Sequence, residues 1–442
     1  MSPDQIHVAI IGGGITGVIL ALGLQKRGVS YTLYERAPAF TEIGAGIGFS
    51  PNAERALRVV DPAVYRIYKE VASSTTGREE HFQWVDGYAT NKVAAKLLIG
   101  VDAFQGGRRS DFLEAWSRLI AGDSVRFGKE IASISERDDG GGGGVVSLGF
   151  KNGSEEEADV VIGCDGINSQ VRRLLLGDVD PASYPGYTNK YCYRALVPMD
   201  RARAVLGAER TAAGDRSMNR FMYNGPGAHC MTYPVAKDQF FNVLLVVSDP
   251  NPWRTEDGRH TAPGTRADAA RAFAAWHPKV RALVDLLPEQ LQKWAIFDLF
   301  ENRVPRYHAG SVAIAGDAAH AAGPHLGSGA GFGIEDALVL ASILEAANKK
   351  AAGKDQKAKT NLCHAALEAY NSVRYDRTQW LIGATRESCA LFHWQDERVG
   401  SDFDKFLPEI SRLFHQIWDN DIDQMVQGAL KEFDQVSDGI TS

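Results

Sequence analysis

Two periodicities divide the 442 residues. The first is the short apolar run. Residues 8–11, 158–163 and 311–315 are such runs, and each reads as a strand buried on both faces, as in a parallel sheet covered by helices. An apolar helical pattern follows the first run, and residues 31–35 form the next strand. The second periodicity is alternation. Residues 125–153 alternate as a strand pair. Residues 191–197, 221–223, 229–233 and 240–247 read as strands, with turns at 224–227 and 236–238, which predicts a separate antiparallel sheet. Residues 81–88 give a strand and turn. Helices are predicted over 52–60, after Ser110 as N-cap, after Asn168, and over most of 362–433. Residues 253–291 read as a loop followed by helices. Residues 349–359 read as a polar linker, and the glycines at 140–144 as a flexible tip.

The first strand runs into Gly12-Gly13-Gly14-Ile15-Thr16-Gly17, which has the spacing G-x-G-x-x-G. Gly12 allows a tight turn, Gly14 lets a pyrophosphate approach the backbone, and Gly17 lets the helix pack on the strand. The helix N-terminus offers free N–H groups and a positive dipole end to the phosphates. Glu35 closes the second strand, where an acid binds ribose hydroxyls and disfavours a 2′-phosphate. That order of elements predicts a dinucleotide site for FAD or NAD.

Other stretches carry candidate chemistry. Alternating glycines at 44–48 suit backbone lying against a flat ligand. Arg109 precedes Ser110, where a phosphate is one partner and solvent the other. Asp165 ends the strand at 158–163 and serves either a ligand hydroxyl or the turn itself. Asp317 ends the strand at 311–315. The loop from Pro324 through Gly327, Ser328, Gly329, Ala330 and Gly331 feeds a helix N-terminus, a second place for backbone N–H groups to meet a polar ring edge. No second nucleotide fingerprint follows. His320 and His325 flank this loop. His320 is expected to pack and bond to backbone, while His325 and His229 have no assigned role.

The totals narrow the field. The 48 basic and 55 acidic residues leave a net charge of −7, with no sign of a nucleic-acid surface. Five scattered cysteines without a C-x-x-C pair read as reduced thiols rather than a zinc site, so no metal is expected. The uncharged stretch 8–24 holds five glycines and is short of a span of about 20 residues. A soluble, cytoplasmic protein is expected, with no membrane partner.

Three motifs occur together: Gly12 to Gly17 with Glu35; Gly163-Cys164-Asp165-Gly166 with Ser169 and Arg172; and Gly316-Asp317-Ala318-Ala319-His320 with Pro324 and Gly327. In this order the chain resembles the class A FAD-dependent aromatic monooxygenases, over about residues 8–418. Within them it is most similar to salicylate hydroxylases and their fungal relatives, through 42–46, Tyr193-Arg194-Ala195-Leu196-Val197 and Ile334-Glu335-Asp336-Ala337. Trp84-Val85-Asp86-Gly87-Tyr88 resembles fungal members, some of which dearomatise polyketide-derived phenols.

The resemblance implies an α/β fold: a Rossmann-like FAD-binding domain (1–75, 106–185, 300–385) interleaved with an antiparallel-sheet substrate domain (76–105, 186–299), then C-terminal helices (386–442). It implies non-covalent FAD held at Gly12, Gly14, Thr16 and Gly17, with Glu35 and Arg36 at the adenosine ribose. Gly46, Arg109, Asp165 and Asp317 follow along the cofactor. Pro324, Gly327, Gly329, Ala330 and Gly331 lie against the isoalloxazine. NAD(P)H reduces the flavin, O2 adds to form a C4a-hydroperoxide, and its distal oxygen attacks a phenolic ring. Arg194 and Tyr233 are the candidate catalytic residues, holding the substrate oxygen anion. Bacterial salicylate hydroxylases keep the Arg but tend to be apolar where Tyr233 stands. The expected partners are a small phenol, O2 and NAD(P)H, in a monomer or homodimer. A halogenase of the same fold lacks support, since its W-x-W-x-I-P motif is absent. A non-catalytic flavin binder is the alternative of another class.

Overall fold

A computed structural model describes residues 5–40, 46–72, 79–138, 144–206, 219–235, 239–255 and 258–441. The expectations for the glycine-rich stretch up to residue 45, for the tip at 140–143 and for the turn at 236–238 lie outside the described residues.

Six strands make the first sheet, in the order His308–Ala309, Val312–Ile314, Val160–Gly163, His7–Ile11, Ser30–Glu35, Val125–Phe127. All neighbours are parallel except the first pair. The three apolar runs therefore lie side by side at its centre. The helix Ile15–Lys26 is buried almost all round. It is wedged against the helix Gly329–Ala351, where a Cβ on Gly23 would sit 2.9 Å from that of Ala341. A helix without a polar stripe is stable only when enclosed in this way.

The second sheet has eight strands, in the order Thr261–Thr265, Gln290–Asp298, Gly186–Pro198, Phe240–Ser248, Ala228–Val235, Arg220–Gly225, Glu79–Asp86, Val93–Val101. It is antiparallel except where Arg220–Gly225 runs parallel to Glu79–Asp86. Alternation sorts its side chains. Tyr193, Phe221, Tyr223, Phe241, Val243 and Leu245 face one side, packed under the helices Arg266–Ala272 and Pro278–Asp285. Arg194, Leu244, Met231 and Met222 face the other side, toward the first sheet. Most of the strand aromatics are therefore core, at about 1.5–3 kcal/mol for each large side chain buried.

The helix Phe403–Trp418 places Phe406, Ile410, Leu413, Phe414 and Ile417 on one buried stripe. It closes over the far end of the second sheet, where Phe414 stacks on Phe82 at 4.9 Å.

Several expectations are corrected. Strands at Val93–Val101, Thr261–Thr265 and Glu155–Ala158 went unforeseen: the last two are short, and the first, though mostly apolar, lies inside a stretch of mixed, largely polar sequence. The stretch 125–153 divides: Val125–Phe127 joins the first sheet, while Ile131–Asp138 and Gly144–Phe150 form a hairpin. Ser110 does not cap its helix, which begins one residue earlier as Arg109–Ser117 with Arg108 at the N-cap. The linker 349–359 shrinks to 352–355. Lysines are good helix formers, and the Asp355 side chain accepts the Ala358 N–H at 2.8 Å to start the helix Gln356–Phe392.

Candidate active site

One cavity of about 730 Å³ runs between the two sheets. One end is lined by residues 11–16 and 34–37, the other by Arg194, Met231, Tyr233, Leu244 and Phe414.

At the first end the glycines differ in why they are glycine. Gly12 has φ +107°, and a Cβ there would meet Cys164 O at 2.6 Å. A Cβ on Gly17 would lie 2.0 Å from Gly12 O, so the helix closes on the strand only without one. Gly14 is the exception. A Cβ on it would have no atom within 4 Å, and it opens on the cavity. Nothing in the protein packs there, so the gap suits a ligand pressed on the backbone at the N-terminus of Ile15–Lys26. Glu35 is anchored by the N–H groups of Gly13 at 2.7 Å and Ala37 at 2.8 Å. Its carboxylate keeps lone pairs for ribose hydroxyls. Arg36 lies exposed on the same rim.

Thr16 lies under the turn that carries Asp317. Its hydroxyl would be 2.5 Å from a Cβ on Gly316 and 2.3 Å from one on Gly333. Asp317 is exposed to the cavity and makes no hydrogen bond among the described residues. A Cβ on Gly329 would meet only its Oδ1, at 3.8 Å. Arg109 lines the cavity between the two ends.

Asp165 lines the cavity and is tied into the turn behind it. It accepts from Ser169 Oγ at 2.5 Å and from the N–H groups of Gln170 and Val171 at 2.7 and 3.0 Å, opening the helix Gln170–Leu176. Burial raises its pKa, against those hydrogen bonds. Arg172 is fully buried and donates to the carbonyls of Ala318, Ile167 and Ser183. Burial lowers it to about 10. It ties the second motif to the third.

His320 is corrected. Its Nε2 pairs with the Asp336 carboxylate at 2.5 Å, not with backbone. Asp336 also takes the Gly316 N–H, and Arg374 bridges Asp336 at 2.7 Å and Glu335 at 2.6 Å. Burial opposes both carboxylates, but their hydrogen-bonded partners win. Glu335 is held at about 2 by Arg374 and Arg377, and Asp336 is also held low, by His320 and Arg374. This network pins the helix Gly329–Ala351 to the helix Gln356–Phe392.

Glycines bring the strand Gly46–Gly48 and the 324–331 loop against Tyr233 and Phe104. A Cβ on Gly46 would lie 2.9 Å from Tyr233 Oη, one on Gly48 2.9 Å from Phe104 Cε1, and one on Gly327 (φ +62°) 3.1 Å from Phe104 Cζ. Gly331 abuts Ala53. Pro324 and Ala330 line the cavity at this junction. Arg194 is exposed there and makes no ion pair among the described residues. Burial raises the Tyr233 phenol, while Arg194 and Arg220 lower it. Arg220 was missed in the sequence. It lines the cavity and pairs with the buried Glu80 at 2.5 Å. Alternation with Met222 was the signal that places it on the cavity face. Asn242 and Phe414 were missed likewise.

Comparison with known proteins decides the family. A family model described as FAD binding domain matches residues 5–369. An FAD-dependent monooxygenase of Aspergillus niger is 44% identical, over 98% of this chain and 98% of its own. The chain belongs to the FAD-dependent monooxygenases. A salicylate hydroxylase of Sarocladium schorii is 38% identical over 98% of this chain and 92% of its own. The solved structure of a salicylate hydroxylase substrate complex aligns with a TM-score of 0.82 at 29% identity, covering 97% of this chain and 99% of that one. This monooxygenase is therefore of the class A aromatic type, with FAD as cofactor and NAD(P)H as the co-substrate typical of the family. Among the described residues no helix is long and apolar enough to cross a membrane.

Proposed function

We propose that the enzyme hydroxylates a phenolic ring, salicylate or a salicylate-like phenol, bound as its anion between Arg194 and Tyr233. The observation that carries this reading is a cation without an ion pair among the described residues, beside a phenol, on a cavity wall that Met222, Met231, Leu244 and Phe414 share with Asn242 and the Glu80-paired Arg220. A cation on a concave wall with apolar neighbours favours an anionic ligand more than it would in bulk water. The likeness to salicylate hydroxylases supports a phenolic acid.

The residues then divide the work. Gly12, Gly14 and the helix N-terminus hold the FAD pyrophosphate, Glu35 and Arg36 the adenosine end, and Arg109 and Asp317 the middle. The 324–331 loop and Gly46 hold the ring. When bound, FAD accepts hydride from NAD(P)H and activates O2. Arg194 pairs with the substrate oxyanion and Tyr233 Oη donates to it; together they favour the ionised phenol, whose ring is richer in electrons at the carbon to be attacked than that of the neutral phenol. The methionines and Phe414 fix the ring in plane and exclude water.

A second reading is dearomatising hydroxylation of a polyketide-derived phenol. It is favoured by Tyr233 and by the fungal monooxygenase relatives. Aerobic turnover with NADH or NADPH, first on salicylate and then on an alkylated resorcinol, separates the two. One oxygen gained with CO2 lost supports the first, and one oxygen gained by the resorcinol alone supports the second.

A further inference from the structure

Behind the flavin loop lies a cluster of histidines that the reaction above leaves unused. His393 is buried at the end of the helix Gln356–Phe392. Its Nδ1 is 2.9 Å from Ser248 Oγ, and its Nε2 is 2.9 Å from His229 Nδ1. The His229 ring meets that of His325 edge to face, 5.6 Å between centroids. His325 lines the cavity beside Pro324, and its buried Nδ1 has no hydrogen-bond partner among the described residues. At the outer end, the exposed Gln395 donates to Ser248 Oγ at 3.4 Å.

We infer that His325, His229, His393 and Ser248 form a proton conduit from solvent to the oxygen-activating end of the cavity. The stoichiometry of any such monooxygenase requires one. Substrate RH, O2, NAD(P)H and one proton give ROH, NAD(P)+ and water, so each turnover takes a proton into a closed site. A neutral imidazole carries a donor on one nitrogen and an acceptor on the other. A proton entering at Ser248 is therefore matched by one leaving at the inner end, without a resting buried charge. Burial keeps all three histidines neutral, with Lys190 opposing protonation further and His229 lowered to about 3. The joint between His229 and His325 is closed by a water or by rotation of the His325 ring, and its partnerless Nδ1 is the atom free to do so.

A metal site is the competing reading, since nitrogens of His229 and His393 and the Cys389 sulfur lie within 4.8 Å of one another. Tetrahedral ligation with Zn–N near 2.0–2.1 Å sets ligand nitrogens about 3.3 Å apart. The observed 2.9 Å is a hydrogen bond.

The test avoids the unknown aromatic. Two-electron-reduced holoenzyme passes both electrons to O2, which leaves as hydrogen peroxide carrying one proton from the cofactor and one from solvent. Reduced enzyme is mixed with oxygenated, weakly buffered water containing a pH indicator, and proton uptake is followed. His393→Phe and His229→Asn are the variants. The conduit predicts uptake slowed about tenfold or more in both at unchanged FAD content, restored by added imidazole. In the resting wild-type protein it predicts a protected downfield imidazole N–H resonance, lost in both variants. Wild-type uptake rates in both FAD-loaded variants overturn the conduit, as does stoichiometric metal in the purified protein. Neither result bears on whether the substrate is a phenol.

Discussion

Arg194 and Tyr233 share one face of the second sheet, joined through the strand between them. Arg194 stands opposite Leu244, Leu244 opposite Met231, and Tyr233 lies two residues beyond Met231. Two residues is one full pleat, so the guanidinium and the phenol point into the same cavity.

This pairing predicts that Arg194→Gln lowers kcat/KM by about 10²–10³, and that Tyr233→Phe lowers it less, because one donor is lost rather than a charge. FAD content stays unchanged in both. Steady-state kinetics with flavin absorbance checks this, and FAD loss from Arg194→Gln counts against its placement at the substrate.

The fingerprint glycines should separate by what a methyl group meets. Gly17→Ala drives a Cβ into Gly12 O and destabilises by about 3 kcal/mol. Gly14→Ala meets no protein atom, and its φ of −74° suits alanine. Apo stability should hold or rise by up to about 1 kcal/mol. FAD affinity should fall at least about tenfold. Chemical denaturation of apoprotein, with FAD titration alongside, distinguishes the two.

The Arg374 network is structural. Arg374→Met leaves Glu335 and Asp336 buried without their shared cation, at a cost of about 3–5 kcal/mol. Glu335 is held at about 2 against an ordinary 4.5. Its contribution is complete above pH 4.5 and is lost as pH falls through 2. Urea midpoints of wild type and variant check the first figure.

The histidine cluster sets a milder acid limit. His229 is lowered from 6.5 to about 3. Below pH 6.5 the unfolded chain takes a proton that the folded one refuses, so stability falls as pH falls toward 3. Replacing His229 by Asn should flatten the slope of unfolding free energy between pH 6.5 and 5 by up to about 1.4 kcal/mol per pH unit.

Much of this was legible in the chain. The parallel sheet declared itself because its strands are buried on both faces and read as unbroken apolar runs. Arg194 and Tyr233 fell on strands of the right sheet. Whether Asp165 serves the turn or a ligand was left open, since a turn-forming acid and a ligand-binding acid look alike in sequence. The Asp336 partner of His320 was hidden, as the two lie 16 residues apart and meet only through the Gly316 turn. The contact of His229 with His393 spans 164 residues. Phe414 was read only as part of a terminal helix, because nothing local says that its stripe covers Phe82.

The most direct test is aerobic turnover of the FAD-loaded enzyme with NAD(P)H, salicylate and an alkylated resorcinol under ¹⁸O2, with products read by mass. The account predicts one labelled oxygen in one of these phenols, and its loss in Arg194→Gln. NAD(P)H oxidation that yields only hydrogen peroxide with both phenols, or full labelling by Arg194→Gln, would contradict it.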